Sequence, residues 1–113
     1  MSEAASDSGF VRVERAEGLS PGEGVSVRIG GRDVAVFNAD GEIRAIDDAC
    51  PHQGGPLGEG MLAGCNVVCP WHFWEFDVRT GEMVDDPEVR VPVHEVKVEE
   101  GRVLVRVCGP EQE

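Results

Sequence analysis

Two short segments, Cys50-Pro51-His52 and Cys69-Pro70-Trp71-His72, each set one thiol and one imidazole two or three residues apart, with sixteen residues between His52 and Cys69. Four soft ligands in two paired groups constrain this chain more than any other feature. They point to a metal, and they gain binding energy only in a fold that carries both arms to one centre. Pro51 and Pro70 stiffen the arms and remove an N–H from each.

The rest of the composition narrows the setting. At 113 residues the chain is one domain with its own modest core, too small for a second catalytic module. A net charge of -12 repels nucleic acid and anionic membrane surfaces, so neither is an expected partner. No run of eighteen apolar residues occurs, and Met1 to Gly9 is polar and acidic where a signal peptide needs a basic start and an apolar run, so a cytoplasmic location is expected. Residues 45–88 hold nine acids against one base, Arg79, which places -8 of the charge on the segment with the candidate ligands. That concentration serves solubility, or steers a partner with a basic face. Four cysteines in such a chain favour metal ligation over disulfides. Cys65 and Cys108 do not fit the arm spacing and read as small, buried or half-exposed thiols.

Outside the arms the hydrophobic period is two. Phe10–Glu14 reads as a first strand, Val25–Ile29 and Asp33–Phe37 as a pair joined at Gly30-Gly31, and Glu42–Ile46 as a third strand entered through Asp40-Gly41. This antiparallel meander delivers the chain to Cys50. After the arms come a Thr80-Gly81 turn, an acidic loop around Asp85-Asp86-Pro87-Glu88, and two closing strands, Val91–Val98 and Arg102–Val107, joined at Glu99-Glu100-Gly101. No window sustains a helical period. The expectation is an all-β antiparallel sandwich or partly closed barrel over residues 10–108, with a loop-rich subdomain at roughly 47–88 inserted between strands and tails at 1–9 and 109–113.

Cys50-Pro51-His52-Gln53-Gly54-Gly55-Pro56-Leu57 followed by Cys69-Pro70-Trp71-His72-Phe73-Trp74-Glu75-Phe76-Asp77 resembles the Rieske family of [2Fe-2S] proteins, most closely its low-potential ferredoxins. The resemblance implies one [2Fe-2S] cluster, with Cys50 and Cys69 on the inner iron and His52 and His72 on the outer one. Gln53, Gly54, Gly55 and Trp71 would surround it, with Gly64 also letting backbone approach the sulfides. It further implies an electron carrier, not an enzyme, passing single electrons from a flavin-dependent ferredoxin reductase to a terminal oxygenase of the ring-hydroxylating dioxygenase type, through the acidic surface near the cluster. A small subunit of an assimilatory nitrite reductase is the alternative. A zinc-stapled binding module is a remote third, because zinc sites usually use C-x-x-C arms.

Several residues read more plainly. Phe73 stands where these ferredoxins often have glycine, and is expected to fill core. Pro87 is a weak candidate for a loop shielding the cluster. His94, on an alternating strand, reads as an ordinary surface or edge residue.

The family's high-potential branch adds a disulfide and hydroxyl donors around its cluster. Here the two disulfide positions are Gly55 and Trp71, the serine position is Trp74, and the chain has no tyrosine. Two thiolates already make reduction easier than four would, but without those donors the midpoint potential should fall towards the lower end of the roughly -150 to +300 mV Rieske range. Voltammetry that returned a value above zero would contradict this.

Overall fold

The computed structural model of the chain describes residues 9–50, 55–71 and 73–107. Among the described residues, nine strands form two antiparallel sheets. In the larger, β1 (Val11–Arg12), β9 (Arg102–Arg106), β8 (Val93–Glu99), β4 (Glu42–Asp47), β3 (Arg32–Ala39) and β2 (Gly24–Ile29) lie side by side in that order and curl into a half-barrel. The smaller, β5 (Met61–Ala63), β6 (Asn66–Val68) and β7 (Glu75–Asp77), falls in sequence between β4 and β8. The all-β expectation therefore holds, with the small sheet as the insertion.

The hairpins form where the turn dipeptides place them. Gly30-Gly31, Asp40-Gly41 and Glu100-Gly101 all have positive φ at both positions, which matches the two-residue turns whose twist suits flanking strands. Their registers follow directly: Ile29 faces Arg32, Ala39 faces Glu42, and Glu99 faces Arg102.

β3 organises the packing because it is buried on both faces. Val34 and Val36 point into the half-barrel with Ile29, Ala45, Val103 and Val105. Ala35 and Phe37 point the other way, into a second core with Ile46, Leu57, Val67 and Phe76. That second core fastens the small sheet to the large one. Burial of each large side chain there contributes about 1.5–3 kcal/mol.

Two sequence expectations change. The first strand is cut to Val11–Arg12, and a 3-10 turn at Glu14–Ala16 follows. Glu17 is the cause: its carboxylate takes the Arg12 guanidinium at 2.9 Å and the Val103 N–H at 3.0 Å, drawing the chain over the barrel end and burying Ala16. These bonds hold the Glu17 carboxyl down at about 2.

His94 is not a surface or edge residue. β8 lies inside the sheet, between β9 and β4, and the His94 side chain is fully buried. Its Nε2 lies 2.7 Å from Asp47 Oδ1, and Asp47 also accepts from Arg32 Nε at 3.1 Å and from Nη2 at 3.3 Å. This buried network ties β3, β4 and β8 together. Asp47→Ala would leave a guanidinium and an imidazole without their shared carboxylate, so urea unfolding should show a loss of about 3–5 kcal/mol.

Candidate metal centre

Each cysteine stands at the base of a closed loop. On the first arm, Cys50 N–H donates to Gly55 O at 2.9 Å, Ala49 pairs with Pro56, and Leu57 N–H donates to Asp48 O at 2.7 Å. The Asp48 side chain pins this base to the large sheet, because Oδ1 accepts from Ser26 Oγ at 2.9 Å and from Gly58 N–H at 2.7 Å. Burial pushes the Asp48 carboxyl above the usual carboxylate range, against the pull of those two bonds. On the second arm, β6 and β7 form a hairpin in which Cys69 N–H donates to Trp74 O at 2.7 Å and Phe73 N–H donates to Cys69 O at 3.0 Å.

The arms meet at Gly55. A methyl group added there would lie 2.8 Å from Cys69 Sγ and 3.0 Å from the Trp71 indole, so a glycine of the first arm is packed against the thiol of the second. Cys50 and Cys69 are 2 % and 1 % exposed and belong to the same apolar core as Phe37, Leu57 and Phe76. No disulfide joins Cys50, Cys65 and Cys69. Two buried thiols delivered by separate loops, with a glycine beside the Cys69 sulfur, fit an iron–sulfur group.

Of the expected site residues, the structure thus gathers Cys50, Cys69, Gly55 and Trp71. His52, Gln53, Gly54 and His72, together with Pro51 and Cys108, lie outside the described residues. Gly64 does not approach the site: it turns the β5–β6 hairpin in open space, with φ 63°. Cys65 beside it is half-buried, as expected of a spare thiol.

Phe73 is not core. It is 75 % exposed with φ 64°, because the tight return from Cys69 to Trp74 needs a left-handed residue there and turns the ring outward. Core packing passes instead to Trp74, half-buried, and to Phe76, fully buried. Pro87 is exposed within the acidic loop. The sequence reading missed Asp48 as an anchor; an acid two residues before a candidate ligand, in a chain rich in acids, carried no signal of its burial.

The charge near the arms is unevenly compensated. Arg79 pairs with Asp77 at 2.8 Å and Arg90 with Glu82 at 3.0 Å. No ion pair to Glu59, Asp85, Asp86 or Glu88 occurs among the described residues, where all four are exposed.

Comparison with known proteins agrees with this geometry. The family model described as Rieske [2Fe-2S] domain matches residues 9–105. The ferredoxin component of the naphthalene 1,2-dioxygenase/salicylate 5-hydroxylase systems of Ralstonia sp is 32 % identical over 90 residues, covering 79 % of this chain and 86 % of that one. A chain from the solved complex of reduced oxygenase and oxidized ferredoxin in carbazole 1,9a-dioxygenase superposes with a TM-score of 0.74 at 36 % identity, over 85 % of this chain and 98 % of that one. A protein described as an NADH-dependent nitrite reductase small subunit, from Mycobacterium tuberculosis, superposes with a TM-score of 0.78 at 32 % identity, over 88 % and 96 %.

The packing at Gly55 gives a direct test. Gly55→Ala forces either the Cys69 thiol or the Trp71 ring to move, a strain typically of about 1–3 kcal/mol. The variant should keep its β-sheet circular dichroism and purify with less iron per chain than the parent.

Proposed function

The chain belongs to the Rieske [2Fe-2S] domain family, and from that premise we propose that it is the ferredoxin component of a multicomponent oxygenase system, a one-electron carrier and not the catalytic subunit. The observation that carries this reading is the pair of buried thiols brought together from two loops, in a chain matched over most of its length by a ferredoxin component. Cys50, His52, Cys69 and His72 are the residues we assign to a single [2Fe-2S] cluster, two thiolates and two imidazoles being one full set. When bound, the cluster takes up and returns one electron at a time.

The chain's own residues set the conditions for that exchange. The apolar core around Cys50 and Cys69 keeps water from the sulfurs, Gly55 brings backbone beside Cys69, and Asp48 fixes the first arm to the large sheet. We take residues 10–108 as one domain, with 47–88 as the cluster-binding subdomain. The donor is a flavin-dependent reductase and the acceptor a terminal oxygenase of the ring-hydroxylating type. Both approach through the acidic surface near the arms, where exposed carboxylates suit basic partners. Among the described residues no helix is long and apolar enough to cross a membrane. Thiols kept for a metal suit the reducing cytoplasm.

One observation supports a second reading: the solved nitrite reductase small subunit superposes as well as the oxygenase ferredoxin does. A small subunit of that kind would co-purify with its large partner in fixed proportion, whereas a carrier comes away alone.

Reduction under anaerobic conditions tests the assignment. The purified chain should be brown-red, take up one electron per chain, and then show a Rieske-type EPR signal. Cys50→Ser or Cys69→Ser should abolish iron, colour and signal and lower stability, since ligation contributes to folding. A colourless parent holding zinc would overturn the reading, and a serine variant with full iron would remove that cysteine from the ligand set.

A further inference from the structure

We propose that the notch between β4 and β8, where the two halves of the large sheet part, is a strand-addition site: it takes an extended segment of a partner protein that alternates apolar and acidic residues.

The opening follows from the ladder. β4 and β8 pair only at Ala45 with His94 and at Ile46 with Val93, although β4 already begins at Glu42 and β8 runs on to Glu99. The strands splay at the end of β4 remote from Cys50. Between them lies a groove of about 410 Å³, bordered by Phe10, Ile43, Arg44, Val96 and Lys97, and closed where Ala45 meets His94.

Hydrogen bonding alternates along antiparallel pairs, which determines the backbone groups that face this groove. The two-residue turn after Glu99 makes Glu99 and Arg102 a hydrogen-bonded pair, so Glu95, Lys97 and Glu99 direct their N–H and C=O to β9. His94, Val96 and Val98 turn theirs toward β4. By the same count from Ala39 and Glu42, Arg44 and Ile46 bond to β3, while Ile43, Ala45 and Asp47 turn toward β8. The Asp47 N–H, which donates to Pro92 O at 3.0 Å, agrees with this count. Ala45 and His94 make the last rung, and beyond it Ile43 does not pair with Val96. Ladder groups left open on two strands are a template for a third, and extended main chain supplies donors and acceptors on both of its sides.

The side chains indicate the sequence of that strand. On the half-barrel face the notch is bordered by Ile43 and Val96, both packed against the apolar core, and by Val98, 53 % exposed. On the other face the charged residues of the lining are Arg44, Glu95 and Lys97, and Glu95 is held by Arg106. Arg44 bonds Glu42 through Nη2, but its Nε is buried with no hydrogen-bond partner among the described residues. Lys97 lies over the Phe10 ring at 4.7 Å and reaches Glu99 only at 3.7 Å. A carboxylate on the added strand therefore meets a buried donor that lacks an acceptor and an ammonium that is loosely paired. Its apolar neighbours cover Val96 and Val98.

A blocked hexapeptide alternating valine and glutamate probes the notch on the purified full chain. Fluorescence anisotropy of a labelled copy should show saturable one-to-one binding that weakens as salt rises. With free peptide at about ten times its Kd, amide exchange at Val96 and Val98 should slow about tenfold, while Glu95 and Lys97, already bonded to β9, stay as they were. Arg44→Gln combined with Lys97→Gln should raise the Kd about tenfold. Binding is read without electron transfer, so the outcome is independent of the carrier reading.

Equal binding of a peptide alternating valine and lysine would overturn the site, since it keeps the backbone and reverses the charge. Equal binding of the valine and glutamate peptide interrupted by proline would do the same, since it keeps the charge and breaks the ladder. So would an absence of binding, or binding that leaves Val96 and Val98 exchange unchanged. Protection of these two amides in a dimer formed without peptide would give the notch to a second copy and end the partner assignment. Should the double variant lose its β-sheet circular dichroism, the peptide comparisons on the parent decide the matter.

Discussion

The core that joins the small sheet to β3 and β4 also contains both thiols, and the rest of the molecule depends on this coincidence. A buried thiolate is tolerable only beside compensating positive charge, while a buried neutral thiol packs as a small apolar group. Cys50 and Cys69 can therefore sit among Phe37, Leu57 and Phe76 in either form, but only the first form holds a metal. Packing brings the two loops together, and with Cys50 and Cys69 as the proposed ligands, ligation would add its own free energy to the same contacts. Folding and metal binding would then be parts of one equilibrium.

That coupling explains why so little of the chain is spare. β3 is buried on both faces, so a change on one side of it is felt by the half-barrel and by the core that holds both thiols alike. Asp48 makes the link explicit: one carboxylate oxygen holds Ser26 of the large sheet and Gly58 after the first arm, two residues from Cys50. The arm is thus an extension of the sheet, rigid at its base, and electron exchange profits from a site that rearranges little.

Local chemistry was legible in the sequence where it acts over a few residues. Gly30-Gly31, Asp40-Gly41 and Glu100-Gly101 specify their turns without help, and the alternation of β2 and β9 states which face is inside. The two arms pointed to a metal by their spacing; the structure brings Cys50 and Cys69 into one core, and His52 and His72 lie outside the described residues. What stayed hidden depends on partners distant in sequence. His94 read as a surface residue because Asp47, its partner, lies 47 positions away across a strand pairing that no short window reveals. The first strand was overdrawn because Glu17 reaches Val103 on the last one. Phe73 was assigned to core from its type, although the return from Cys69 to Trp74 decides its backbone and therefore its direction.

Carboxylates illustrate the same division from the side of energy. In the large sheet Asp47 is sealed between Arg32 and His94, where removal would strand charge in the interior and where solvent salt has little reach. At the outer end of the small sheet Glu59, Asp85, Asp86 and Glu88 face water and repel one another weakly, and the one side-chain bond among them, Glu88 N–H to Asp86 Oδ1 at 3.3 Å, is local to the loop. An unneutralised surface of this sort is sustained only because the two cores supply the stability elsewhere. The field of such a surface reaches about a Debye length, ~8–10 Å at moderate salt, so it acts on the surroundings of the molecule more than on its fold.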